Sequence, residues 1–333
     1  MKLGLVGTGR IGTFHAETLR DLPDVAAVVV TDVDPVRAKQ AAARLGVEFA
    51  HDTDALFDAG IDGVVVTAAT SAHPELILRG VTAGVPVFCE KPVATDIAGT
   101  LDVIDRIAGS TVPVQIGFQR RFDAGYTAAR DAVASGTLGW VHTLRATTMD
   151  PAPPPAEYVP TSGGFYRDCS VHDFDAIRFV TGHEVTEVYA VGANRGADFF
   201  RAADDVDTAA ALLTLDDGTL ALVSGTRYNA AGYDVRLEVL GSEGDLAVGM
   251  DERMPLRSAE TDVRWPSGPA YPGFLDRFRV AYRAELAAFA DVVAGRAPSP
   301  CTVADALAAF YVAEACVVSR REHRPVSLVE IRG

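Results

Sequence analysis

The chain of 333 residues is 48% apolar and carries a formal charge of −15. That length points to two domains, and that apolar share to a large buried core rather than a disordered chain. The acidity argues against nucleic acid or an anionic membrane as partner. The four cysteines, Cys89, Cys169, Cys301 and Cys316, are dispersed and form no CxxC pair. Neither a zinc site nor a disulfide framework is therefore expected, and a reducing cytosol is the natural compartment. The first residues run into "LGLVGTG" with no charged n-region or cleavage site, and no apolar run approaches bilayer length. The expectation is a cytoplasmic protein.

In the first 120 residues, short β-branched runs alternate with helical stretches. The runs are residues 2–7, 25–32, 62–69, 85–90 and 112–118, with helices at about 11–20, 35–45, 73–83 and 96–108. Strands with little alternation, separated by helices, predict a doubly wound α/β domain with a parallel sheet buried on both faces. After about residue 135 the strands lengthen: 140–147, 185–195, 208–228 and 234–249. "DDG" at 216–218 and "GSEG" at 241–244 are hairpin turns, where glycine supplies positive φ. The Pro-rich segment 151–160 is a loop, and helices at about 274–295 and 302–319 close the chain. The predicted architecture is a Rossmann domain over 1–120, then a domain over 121–333 with a large, open, mostly antiparallel sheet.

Within "LGLVGTGRIGTFHAETL", Gly7, Gly9 and Gly12 form GxGxxG between a predicted strand and a helix, the context that dinucleotide binding requires. Gly7 permits the tight turn, Gly9 lets the backbone approach a pyrophosphate, and Gly12 allows close helix–strand packing. The helix N-terminus offers N–H groups and positive dipole to the phosphates. The next strand ends at Asp32, whose carboxylate accepts from ribose hydroxyls and repels a 2′-phosphate. The expected cofactor is accordingly NAD rather than NADP. Asp32 also reads as an ordinary turn residue, Asp34 competes for the assignment, and Arg37 is the residue that would soften the preference. Arg10, Ile11, Ala69, Glu90 and Lys91 complete the cofactor set.

"VPVFCEKPVAT" places Glu90, Lys91 and Pro92 beyond a buried strand, where ligands of open α/β sheets bind. An ammonium there can hold an alcohol or carbonyl oxygen and stabilise developing negative charge. A solvated loop lysine is the alternative. Pro92 makes a cis bond available, though trans is the commoner form.

"GGFYRDCSVHDFD" (163–175) gathers Asp168, His172, Asp173 and Asp175. If residues 168–180 are helical, Asp168 and His172 are an i,i+4 pair on one face, shared by Asp175, with Val171, Phe174 and Ile177 turned to a core. A neutral imidazole there accepts a hydroxyl proton while a carboxylate orients it. Capping and dipole roles at a helix start are the alternative. With no H-E-x-x-H pattern or third ligand, no metal is expected.

Taken together, "GLVGTGRIGTFHAETL" (4–19), "EKPVA" (90–94), "QIGFQRRFD" (115–123), "GGFYRDCSVHDFD" and "GYDVRLEVLGSEG" (232–244) make the chain resemble the Gfo/Idh/MocA oxidoreductases, and among them the inositol 2-dehydrogenases. The resemblance covers nearly the whole length. It implies that Lys91, Asp168 and His172 are catalytic, with His172 as base, and that the second sheet packs against another subunit in a homodimer or homotetramer. It makes Gln119 and Arg120 or Arg121 pocket candidates, Arg121 being equally readable as an ion-pair partner. Tyr233 matches a polyol-proximal tyrosine, or else is a cross-strand packing residue. His15 and His73 lie in family motifs and read as packing or cofactor-proximal groups. The implied activity is NAD-dependent oxidation of myo-inositol to 2-keto-myo-inositol. Another sugar or polyol dehydrogenase, a non-catalytic NAD-binding sensor and NAD-assisted glycoside cleavage are the rival readings.

Overall fold

A computed structural model describes residues 1–333, and its contacts divide the chain into two compact units: Met1–Gln119 with Val280–Leu307, and Arg120–Arg279 with Ala308–Gly333. In the first unit, strands β1 (Lys2–Val6), β2 (Ala27–Thr31), β3 (Glu48–Phe49), β4 (Gly63–Val66), β5 (Val87–Glu90) and β6 (Val114–Gly117) form one sheet in the order β3-β2-β1-β4-β5-β6. Every pairing in it is parallel. Helices α1 (Arg10–Arg20), α2 (Pro35–Leu45), α3 (Thr53–Asp58), α4 (His73–Thr82) and α5 (Ile97–Ile107) connect the strands. All four residues of β4 are buried, as covering both faces of a parallel sheet demands.

Local chemistry sets the element ends. The Asp34 side chain accepts from the N–H groups of Val36 and Arg37 and Pro35 opens α2, while Gly46 closes it in the left-handed region at φ 68°. Asp52 and Asp96 cap α3 and α5 in the same way. Neither β3 nor α3 stands out in the sequence pattern: two exposed strand residues and six helical ones are too short to show a period.

The second unit carries α6 (Ala124–Ala134), β7 (Val141–Met149), α7 (Val171–Thr181), β8 (Val185–Ala193), α8 (Asp198–Ala202), β9 (Thr208–Leu215), β10 (Leu220–Thr226), β11 (Asp234–Gly241) and β12 (Asp245–Val248). With β13 (Val326–Ser327) they give a seven-stranded sheet in the order β12-β11-β7-β10-β9-β8-β13. Only the central β7–β10 pair is parallel, so the sheet is mostly antiparallel. β9 alternates strictly, with Ala209, Ala211, Leu213 and Leu215 inward. Gly218 turns the β9–β10 hairpin at φ 89°.

The closing helical stretch is interrupted: α9 (Phe274–Arg277) stops at Phe278 and α10 (Arg279–Val293) follows. The sequence places everything after residue 120 in the second domain, but Val280–Leu307 belongs to the first unit by contact. Leu286, Phe289 and Val292, spaced by three along α10, share a core cluster with Leu3, Leu5, Val30, Val65 and Phe88. Each such side chain contributes about 1.5–3 kcal/mol by burial. The chain then continues through α11 (Val303–Glu322), where the unit boundary falls at Leu307/Ala308, and ends in α12 (Leu328–Arg332). In the second unit, Ser319 on α11 accepts at its hydroxyl from the backbone N–H of Ala190 on β8 at 2.9 Å. No helix is long and apolar enough to cross a membrane.

Candidate functional site

The glycine loop after β1 is built from two kinds of glycine. Gly7 has φ 99°, and a Cβ on Gly12 would stand 1.8 Å from the Gly7 carbonyl oxygen, so both positions are closed to larger residues by the chain itself. Thr67 fastens the turn by donating from Oγ1 to the Gly7 carbonyl at 2.7 Å. Gly9 differs: a Cβ there would meet no protein atom within 4 Å, yet Gly9 lines a cavity of about 560 Å³. Thr8, Arg10, Thr13, Arg37 and Arg44 line it too, and no side chain caps α1. An uncapped helix start beside three arginines, in a chain of charge −15, is a place for phosphates. The residues present fit a dinucleotide. Ile11 follows Arg10 in the first turn of α1 and is half-buried.

Asp32, one residue beyond β2, is separated cleanly from Asp34 by the structure. Asp34 caps α2, whereas Asp32 is buried and accepts from Thr8 N and Oγ1 at 2.6 and 2.9 Å and from Asp34 N at 3.0 Å. Arg37 adds bonds from Nε at 3.2 Å and from its terminal nitrogen at 2.5 Å. Burial alone would raise the Asp32 pKa, but Arg37 and the two backbone N–H groups win and hold it at about 2. Asp32 is thus a charged acceptor bonded to Thr8 and Arg37, two residues that line the cavity.

Lys91 follows β5 directly, half-buried, and the Lys91–Pro92 bond is cis. Ala69 lies three residues beyond β4, at the entry to the short 3₁₀ turn Thr70–Ala72, and Glu90 is the last residue of β5. Gln119 is buried at the start of the 3₁₀ turn Gln119–Phe122 and closes the first segment of the first unit. Lys91 and the cofactor set belong to the first unit; Arg121, Asp168, His172 and Tyr233 belong to the second.

In the second unit the opening of α7 departs from a plain helix. Tyr166–Ser170 form a π turn and α7 begins at Val171, so Asp168 and His172 are not a simple α-helical i,i+4 pair. Val171, Phe174 and Ile177 face the core as expected. Asp175 does not face outward with His172: it is fully buried, and Arg121 donates to it from Nε at 2.9 Å and from a terminal nitrogen at 2.6 Å. A buried charge requires such a partner, which gives Arg121 the ion-pair role that its sequence left open. Asp173 is similarly held by Arg120 at 2.5 Å, and Thr148 donates to the same carboxylate at 2.9 Å. His172 is half-buried in the first turn of α7.

Asp168 is fixed by two residues that sequence reasoning missed. The Tyr158 hydroxyl donates to one oxygen at 2.9 Å, and Arg227 to the other at 2.6 Å. Arg227 is itself buried, donates to Asp150 at 2.7 Å and stacks on Phe165 at 5.1 Å. Tyr158 gives the Pro-rich loop a function: it brings a phenol to Asp168. Tyr233 is buried, bridges backbone to backbone with Tyr271 and meets Phe278 edge-on.

Comparison with known proteins adds to this geometry. Residues 1–118 match the oxidoreductase family with an NAD-binding Rossmann fold, and residues 126–247 match the GFO/IDH/MocA C-terminal domain. The chain is 36% identical to myo-inositol 2-dehydrogenase of Thermotoga maritima, over the full length of both. It is 33% identical to scyllo-inositol 2-dehydrogenase (NAD(+)) of Bacillus subtilis, covering 98% of this chain and 96% of that one. A crystal structure of scyllo-inositol dehydrogenase from Lactobacillus casei, with bound NAD(H) and scyllo-inositol, superposes with a TM-score of 0.88 at 31% identity, covering 99% of each chain.

Proposed function

Because this chain belongs to the Gfo/Idh/MocA family of NAD-binding oxidoreductases, we propose that it oxidises a ring hydroxyl of a cyclitol with NAD⁺, most readily myo-inositol to 2-keto-myo-inositol. What supports the reading is the match to inositol dehydrogenases along the whole chain, together with the Lys91, Asp168 and His172 carried by the chain's own motifs. NAD⁺, held by the Gly7–Gly12 loop and Asp32, with Arg10, Ile11, Ala69 and Glu90 beside it, supplies the hydride acceptor.

The chain's own residues handle the proton and the oxygen. His172 in its neutral form removes the hydroxyl proton. The Lys91 ammonium hydrogen-bonds the same oxygen and stabilises negative charge as it builds. Asp168 orients substrate and imidazole, and the Tyr158 and Arg227 bonds keep its carboxylate in one place. Gln119 and Tyr233 contribute to the pocket, and Arg121 acts through Asp175 by steadying the helix that carries His172. The 121–333 region is the substrate and oligomerisation domain apart from its Val280–Leu307 segment, and its open sheet face meets a second copy in a homodimer or homotetramer.

The test is NADH formation by purified protein with NAD⁺ and NADP⁺ in parallel, across inositol isomers and common aldoses. The expected result is turnover of myo-inositol with NAD⁺, reduced about 10²–10⁴-fold in His172→Ala. Scyllo-inositol is the second reading, favoured by the Bacillus subtilis relative, and preference for it would move the reacting stereocentre. Activity on aldoses alone would discard the cyclitol. Bound NAD with no turnover across the panel would favour a sensor or a glycoside-cleaving enzyme.

A further inference from the structure

Two buried histidines of the first unit have no part in that chemistry, and each holds a neighbour of Lys91. His15 is fully buried on α1, against the rings of Phe14, Phe88 and Tyr282. Its Nε2 lies 2.7 Å from Oε1 of Glu90. A carboxylate only accepts, so the proton sits on Nε2. Nδ1 is buried with no hydrogen-bond partner, which suits a bare lone pair and not a second N–H. The polar edge of His15 thus has one contact, and it fixes Glu90. Space for that carboxylate comes from Gly117, paired with Glu90 across β5 and β6, where a Cβ would stand 3.1 Å from Oε2.

His73 does the corresponding work on the other side. It opens α4, is buried, and spans two backbone carbonyls: Nδ1 is 2.7 Å from the Pro92 oxygen and Nε2 is 3.0 Å from the Ala68 oxygen. Burial pulls its pKa below the ordinary imidazole value, against those two carbonyls and Glu90, while Lys91 pulls it further down. A neutral ring has one N–H for two acceptors, and the shorter contact, Nδ1 to the Pro92 carbonyl at 2.7 Å, is the one that it serves.

Residue 90 is therefore anchored through its side chain by α1, and residue 92 through its carbonyl by α4. Lys91 lies between them on a flexible four-carbon stem, and the direction of such a stem is set by where its backbone is held. We infer that His15 and His73 are positioning residues for Lys91, fixing its backbone from the same two helices that follow the phosphate loop and Ala69. The inference rests on the reading of Lys91 as the group that meets the substrate oxygen.

The test pairs His15→Phe, which keeps the aromatic packing and removes the bond to Glu90, with His73→Leu, and adds His73→Gln, which retains N–H donors. Amide hydrogen exchange is measured first, in cofactor-free protein. At Lys91 and Val93 it should quicken about tenfold or more in His15→Phe and His73→Leu, with core amides such as Val65 unchanged. In turnover, both variants should lose about 10- to 100-fold in kcat with the dissociation constant for NAD⁺ within about twofold of wild type. His73→Gln should recover most of the kcat. Unchanged exchange at Lys91 overturns the inference, as does faster exchange with kcat intact, or a loss explained by weaker NAD⁺ binding. If wild-type protein oxidises no polyol, the functional reading fails, and the exchange experiment still decides whether the histidines hold Lys91.

Discussion

Asp32 shows how much a single carboxylate can be asked to do. Its two oxygens receive Thr8, Asp34 and Arg37, and its pKa falls from 3.8 to about 2. A carboxylate depressed by folding stabilises the folded state at pH values above its unfolded pKa, and that contribution vanishes as pH falls through the folded one. Here the window runs from about pH 4 down to about 2, and the amount is on the order of 2 kcal/mol. Urea unfolding of wild type and Asp32→Asn should show a stability gap at pH 6 that closes over that window. A gap independent of pH would mean that the charge itself contributes nothing. If Asp32 meets the ribose hydroxyls as proposed, Arg37, half exposed, must yield them a place.

At the scale of one element, α7 is tied down by two ion pairs on its buried side. Arg120 and Asp173 are each about 2% exposed. Removing one charge of such a pair leaves the other buried without compensation, so Asp173→Ala should cost about 3–5 kcal/mol in urea unfolding. Replacing both, as Arg120→Met with Asp173→Leu, should recover most of that loss; a double variant as unstable as the single one would show that Thr148 and the geometry matter more than the charges. These pairs also explain what could be read from the sequence and what could not. GxGxxG, the strand ending at Asp32 and the inward Val171, Phe174 and Ile177 are local patterns, and the chain writes them within a few residues. Asp175 looked available because its partner Arg121 lies 54 residues away. Arg227 is equally remote, 59 residues from Asp168, whereas Tyr158 is only ten away but sits in a proline-rich loop whose path has no periodic signature. The π turn at Tyr166–Ser170 has no periodic signature, so the spacing from Asp168 to His172 was legible while its geometry was not.

For the whole molecule, the telling surface is the open face of the seven-stranded sheet. Tyr189 on β8 pairs across to Leu212 on β9, and Leu212 to Leu222 on β10, a row of large side chains that are each 40–46% exposed. Val191 and Leu220 extend it. An apolar row of this kind on an otherwise acidic protein fits the second-copy interface proposed above. Leu212→Arg with Leu222→Glu should lower the mass measured by light scattering on a sizing column to that of the 35.2 kDa monomer, with the far-UV circular dichroism unchanged. An unaltered mass would move the interface elsewhere.

The return of Val280–Leu307 to the first unit has a consequence for how the protein comes into being. Leu286, Phe289 and Val292 close the core begun by Leu3 and Leu5. A ribosome adding roughly 5–20 residues per second needs about 8–35 s to travel from the end of the Rossmann segment to those three side chains. Through that interval the nascent nucleotide-binding half presents an uncovered apolar surface, and its neighbour is being made inside the gap. Birth order and fold order are thus crossed in this chain: the half that begins first is completed only when the other is almost entirely synthesised.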